Sequence, residues 1–306
     1  MMKAAIARGY IGHNASLVEV ASMPRPGAQL GPGEVLVRVY ASSVNPVDWK
    51  LAAAPGWGLH FPVILGMDLA GVVVAVGSGC ARLREGDEVW SDHSSLGSYA
   101  GAHASHPTPP RRCLTVPGSV RAEYVVAEEL NLGLKPRSLS WTEAASLPLV
   151  AMTSLASFDA THAPWTNAPT IVILGGTGGC GSAGIEMAKA FGAGKIIATG
   201  SNITYMRNLG ADIALDFRQT NWWDVVPDGS VQIVYDTVGL QVIRHIGAEG
   251  LDRRGPAGSC RLFLGPGFRL GACWNRLVET VKTRKKREKT GKKWARYGLK
   301  RVKEGS

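Results

Sequence analysis

Two rhythms of apolar residues divide the chain. From Thr170 onward, short apolar runs alternate with helical spacing. Ile171-Val172-Ile173-Leu174 is apolar throughout, the form of a short strand covered on both faces. A glycine cluster from Gly175 to Gly181 follows, then Ile185, Ala188 and Phe191 at positions that share one helical face. Residues 195–199 form a second apolar run, and residues 212–217, 231–235 and 261–265 predict further parallel strands. The first 130 or so residues read differently, as short strands cut by Gly and Pro turns. Residues 35–39, 70–77 and the turn-plus-strand 84–90 carry that pattern. Between the halves, Ser140-Trp141-Thr142-Glu143 is a capping box that opens a helix carrying Ala144, Ala145 and Leu147, and Pro148 interrupts it.

Length and composition add limits. At 306 residues the chain can hold two domains with full cores, and its 45% apolar content is ordinary for a globular protein. No apolar run approaches the roughly 20 residues of a membrane span. The N-terminal residues 1–7 read as a first strand rather than a targeting segment, so a cytoplasmic protein is expected, with organelles open. Cys80, Cys113, Cys180, Cys260 and Cys273 are scattered without paired spacing, as free thiols in a reducing compartment would be. The net charge of +10 is local. From Arg276 to Ser306 there are 13 Lys/Arg against 3 Asp/Glu, while the rest of the chain has 21 of each. The body therefore carries no basic field that would draw nucleic acid or membrane. In the tail, Trp274, Leu277, Val278 and Val281 share a helical face, so residues 271–306 read as a basic tail with helical character or a solvated end.

The glycine cluster brings chemistry. Gly176-x-Gly178-x-x-Gly181 sits between a predicted strand and a predicted helix, the setting in which G-x-G-x-x-G binds a dinucleotide. One glycine makes the turn, one lets backbone N–H groups approach a pyrophosphate, and one lets the helix pack closely. Gly179 and Cys180 complete the loop that faces the phosphates, at a helix N-terminus. The competing reading is a glycine-rich turn in some other α/β unit. The second strand ends Thr199-Gly200-Ser201-Asn202, without the carboxylate that would hold ribose hydroxyls and repel a 2′-phosphate. Ser201 and Arg207 could accept that phosphate, with Tyr205 beside them as a further cofactor-binding candidate and Arg207 equally readable as a solvent-exposed helix residue, so NADPH is the expected cofactor.

Further motifs lie in the first half: Ser43-Val44-Asn45-Pro46-Val47-Asp48, Gly66-Met67-Asp68-Leu69-Ala70-Gly71, Val76-Gly77-Ser78-Gly79, Glu85-Gly86-Asp87-Glu88-Val89 and Ala122-Glu123-Tyr124-Val125. With them the chain resembles the zinc-independent quinone oxidoreductase branch of the medium-chain dehydrogenase/reductase superfamily, from Met2 to about Gly265. The resemblance implies an α/β protein of two parts: a GroES-like β-rich domain over residues 1–130 and a Rossmann domain with a doubly wound parallel sheet over residues 131–270. The active site would lie in the cleft between them. It places Thr153 in a helix beside the cofactor, and Val238 after the fourth parallel strand, also at the cofactor. Zinc-using relatives have Cys and His where Asn45 and Met67 stand here, and an amide and a thioether cannot replace them in a tetrahedral site, so no metal is expected. Residues 91–121 read as a loop insertion; His103, His106, Cys113 and Asp92 within it are solvated polar residues rather than a metal site. Compared with the family, the last part of the fold is missing and the chain reads as C-terminally shortened.

The expected activity is NADPH-dependent reduction of a quinone or an α,β-unsaturated carbonyl. Without zinc, charge developing on the substrate oxygen must meet fixed hydrogen-bond donors. Asn45 and Lys50 are the catalytic candidates, and Asp48 is read as holding a local turn or pairing with Lys50. The alternative is a catalytically silent NADP-binding protein whose basic tail supplies the interaction. The partner expected is a small-molecule substrate. The resemblance adds a homodimer; no nucleic acid or membrane partner is expected.

Overall fold

The computed structural model describes residues 1–11, 18–27, 29–53, 61–93, 120–227, 229–238 and 259–260. The β-rich half forms two sheets. Strands β1 (Met2–Ala7), β2 (Val18–Met23) and β4 (Val63–Ile64) make a small antiparallel sheet in the order β2-β1-β4. The larger sheet has the order β7-β3-β5-β6-β8, from β3 (Glu34–Ser42), β5 (Asp68–Val76), β6 (Glu88–Asp92), β7 (Tyr124–Glu128) and β8 (Gly133–Leu134). Val35, Val37, Leu69, Val73, Val89 and Val125 bury one face of it. Between β3 and β4, helix α1 (Pro46–Ala53) carries Asp48 and Lys50.

The capping box is formed as the sequence predicts. The Ser140 hydroxyl accepts the Glu143 N–H, the Glu143 carboxylate accepts the Ser140 N–H, and α2 (Trp141–Ala145) follows. A new helix, α3 (Pro148–Asp159), starts on Pro148, whose missing N–H is no loss in a first turn.

The second half is a parallel sheet of β9 (Thr170–Leu174), β10 (Lys195–Gly200), β11 (Ile213–Asp216), β12 (Ile233–Asp236) and β13 (Ser259–Cys260). Its order, β11-β10-β9-β12-β13, is that of a dinucleotide-binding sheet, with the strand order reversing between β9 and β12. Helices α4 (Gly179–Ala190) and α5 (Ile203–Leu209) connect the first three strands. Ile171 and Ile173 point into a core shared with α3 and α4, whereas Val172 and Leu174 pack on the opposite face with Ile197 and Val226. Burial on both sides explains why this strand lacks alternation. The shared core also takes Ala70 and Trp90 from the β-rich sheet, so α2 and α3 sit between the halves and join them.

The strand predictions hold with end shifts of up to three residues, apart from the last. There β13 pairs with β12 at Ser259–Cys260, and the expected run 261–265 lies outside the described residues. The basic tail and residues 94–119 of the expected insertion lie outside them too. The ends of that insertion are not loop. Ser91 and Asp92 pair with Leu69 and Asp68 in the sheet, and Val120 and Arg121 hydrogen-bond to the backbone of Gly66 and Leu65.

Candidate active site

The glycine loop builds an anion site at the point where the strand order reverses. Gly175, one residue ahead of the sequence motif, makes the turn with φ of +78°. A Cβ on Gly181 would stand 2.1 Å from the Gly175 carbonyl oxygen, so the helix can approach the loop only as glycine. Gly178 is the N-cap of helix α4, and no side chain caps the helix. The N–H groups of Gly179, Cys180 and Gly181 thus open a twelve-residue helix whose positive end faces the ends of β9 and β12. These features fit a dinucleotide pyrophosphate. Val238 arrives from the other side: a Cβ on Gly175 would lie 2.6 Å from Thr237 Oγ1 and 2.9 Å from Val238 Cγ2. Thr153, on α3, hydrogen-bonds Cys180, and burial pushes the Cys180 thiol pKa up. A raised pKa favours the neutral thiol, the less nucleophilic form.

At the end of β10, Ser201 is exposed and Asn202 caps α5, accepting the Tyr205 N–H at 2.9 Å. Tyr205 packs against the core, and Arg207 is exposed in the last turn of α5. The structure also brings up an arginine that the sequence reading missed. Gly200 pairs with Asp216 in register, so Arg218 leaves β11 beside the end of β10. Its guanidinium is pinned by Asp216 through Nε at 2.8 Å and Nη2 at 2.5 Å, and those bonds hold the Asp216 carboxyl down to about 2. The Nη1 edge of the fork is left over. Only sheet register could have placed it there.

The third part is a polar cluster under the other wall. Asn45, Asp48 and Asp68 are buried, Asp68 to 1% exposure. The Asn45 Nδ2 donates to Asp68 Oδ2 at 2.7 Å and to Ser43 Oγ at 3.0 Å, and the Ser43 hydroxyl donates to the same Asp68 oxygen. Both amide protons are thereby committed. Only the Asn45 carbonyl oxygen is then left uncommitted, so against the expected donor the side chain has an acceptor to offer. Asp48 does hold a local turn, accepting the Asn45 N–H at 2.7 Å, but its charge partner is Arg121, not Lys50. Arg121 also donates to the Ser43 carbonyl. Lys50 is exposed on α1, with its ammonium 6.0 Å from the Trp49 ring centre.

Asp68 links the cluster to the nucleotide cradle. Its second oxygen accepts the Leu149 N–H at 2.7 Å, in the first turn of α3, where no local side chain serves as cap. The next residue, Val150, abuts the glycine loop: a Cβ on Gly179 would lie 2.8 Å from Val150 Cγ1. Burial, with the Asp48 charge adding to it, raises the Asp68 carboxyl to about 6 against the hydrogen bonds from Ser43, Asn45 and Leu149.

Residues 31–137 match the alcohol dehydrogenase GroES-like domain. A crystallised NAD-dependent alcohol dehydrogenase is 30% identical over 76% of this chain and 70% of its own, with a TM-score of 0.62. The chain belongs to the medium-chain dehydrogenase/reductase superfamily. Within that superfamily it is 39% identical to 2-methylene-furan-3-one reductase of Solanum lycopersicum over 211 residues, 67% of this chain and 50% of that protein. It is 36% identical to the chloroplastic NADPH-dependent alkenal/one oxidoreductase of Arabidopsis thaliana over 212 residues, 68% of this chain and 50% of that protein. The chain spans about half the length of these curated relatives. Asn45 and buried Met67 offer an amide and a thioether, and that amide is turned onto a carboxylate. Among the described residues, no helix is long and apolar enough to cross a membrane.

Proposed function

We propose that the protein is a zinc-independent, NADPH-dependent reductase of quinones or α,β-unsaturated carbonyls. The observation that carries this reading is the uncapped α4 N-terminus at the strand-order reversal, joined through Val150, Leu149 and Asp68 to the Asn45 cluster. The names of its relatives, an enone reductase and an alkenal/one oxidoreductase, support the substrate class.

Gly179, Cys180 and Gly181 would hold the pyrophosphate through backbone N–H groups, with Thr153 and Val238 bordering the loop. Ser201 and Tyr205 would border the ribose at the end of β10. Of the two nearby arginines, Arg218 is favoured for the 2′-phosphate over Arg207, because Asp216 orients its guanidinium and Asp216 pairs with Gly200 at the β10 end. When bound, the cofactor supplies the hydride. The Asn45 carbonyl oxygen accepts a hydroxyl of ribose or substrate and fixes its position. Lys50 supplies the positive charge for the oxygen on which charge develops, and a proton to complete the reduction. The substrate is a small molecule; a homodimer and a cytoplasmic location complete the proposal.

Following NADPH oxidation with 9,10-phenanthrenequinone and with a simple enone tests the reading. Turnover supports a reductase, while NADPH binding without turnover of either compound would leave a silent cofactor-binding protein.

A further inference from the structure

The Asn45–Asp68 pair suggests a role that neither residue has alone. We propose that Asp68 is a positioning residue that sets which end of the Asn45 amide faces the cleft. This rests on the reductase reading for its consequence, though not for its geometry. An ionised carboxylate only accepts hydrogen bonds, so it draws the Nδ2 end of the amide toward itself and turns the oxygen outward. Ser43 reinforces that choice, spending its proton on Asp68 and accepting the second amide proton. The other Asp68 oxygen is fixed by the Leu149 N–H, so the carboxylate cannot rotate away. The orientation of an amide 23 residues earlier in the chain is thereby tied to the start of the helix that touches the glycine loop.

Exchanging the two side chains tests this. In D68N the Leu149 N–H keeps the new amide oxygen, which leaves its NH2 facing the Asn45 NH2. Two donors conflict, and Asn45 turns its own NH2 into the cleft. In N45D two carboxylates meet at the site and repel. In N45D/D68N the donor and acceptor simply change places, and an acceptor again faces the cleft. Side-chain amide NMR of the cofactor-free protein and NADPH titration are run on all four proteins.

The Asn45 amide protons should be protected in the wild type and exposed in D68N, and a protected side-chain amide at position 68 should replace them in the double variant. NADPH affinity should fall about tenfold or more in each single variant and return to within about threefold in the double, as expected when a mismatched buried donor is re-paired. A double variant that unfolds, or binds no better than the worse single one, overturns the proposal. So does a D68N protein with a protected Asn45 amide and wild-type affinity. If the wild type itself ignores NADPH, the reductase reading fails, and the amide signals still decide the orientation.

Discussion

Asp68, on a strand of the β-rich half, accepts the backbone N–H of Leu149 at 2.7 Å and so caps a helix of the other half. A carboxylate at a helix N-terminus is favourably placed, yet this one is buried enough that its pKa rises from 3.8 to about 6. The folded state therefore binds its proton more tightly than the unfolded chain does. Its contribution to stability is full below pH 3.8 and is lost as pH rises through about 6, a change of about 3 kcal/mol. Relative to D68N, the wild type should lose about that much unfolding free energy between pH 4 and 7. Denaturant titrations at several pH values measure it, and parallel curves for the two proteins would refute it.

Replacing Gly181 with Ala should cost both fold and ligand. The added methyl would collide with the Gly175 carbonyl at 2.1 Å, which only a backbone shift relieves. A destabilisation of about 1–3 kcal/mol and at least a tenfold loss of NADPH affinity are expected. Thermal melting and calorimetry read the two effects, and unchanged binding would remove the loop from the site.

Arg218 should govern the choice between NADPH and NADH. R218A should weaken NADPH binding severalfold, as loss of a solvent-screened charge-assisted contact would, and leave NADH affinity unchanged. R207A should change neither. Equal losses for both cofactors in R218A, or selectivity lost in R207A instead, would move the 2′-phosphate elsewhere.

Lys50→Met should lower turnover about 10²-fold or more, with little change in NADPH affinity, if its charge and proton serve the substrate oxygen. Wild-type turnover in that variant would take Lys50 out of the mechanism.

Much of this was legible in the chain. The unbroken apolar run 171–174 signalled a doubly covered strand, and the capping box at Ser140 fixed a helix start to the residue, because both depend on local spacing. What was not legible depends on partners distant in sequence. Asp68 looked like one letter of a family motif until the sheet set it against Asn45 and Leu149. Arg121, read as the end of a loop, pairs with Asp48 across 73 residues. Arg218 enters only because Gly200 and Asp216 share a register. The residue type of Asn45 permits both donor and acceptor, and only its neighbours Asp68 and Ser43 decide which atoms are left over.

If the glycine loop and the α4 N-terminus hold a dinucleotide, the purified protein must bind one. Isothermal titration of the purified protein with NADPH, alongside thermal melting, tests it most directly. Saturable one-site binding and a melting temperature that climbs with NADPH concentration are expected. No heat and no shift at millimolar NADPH or NADH would contradict it.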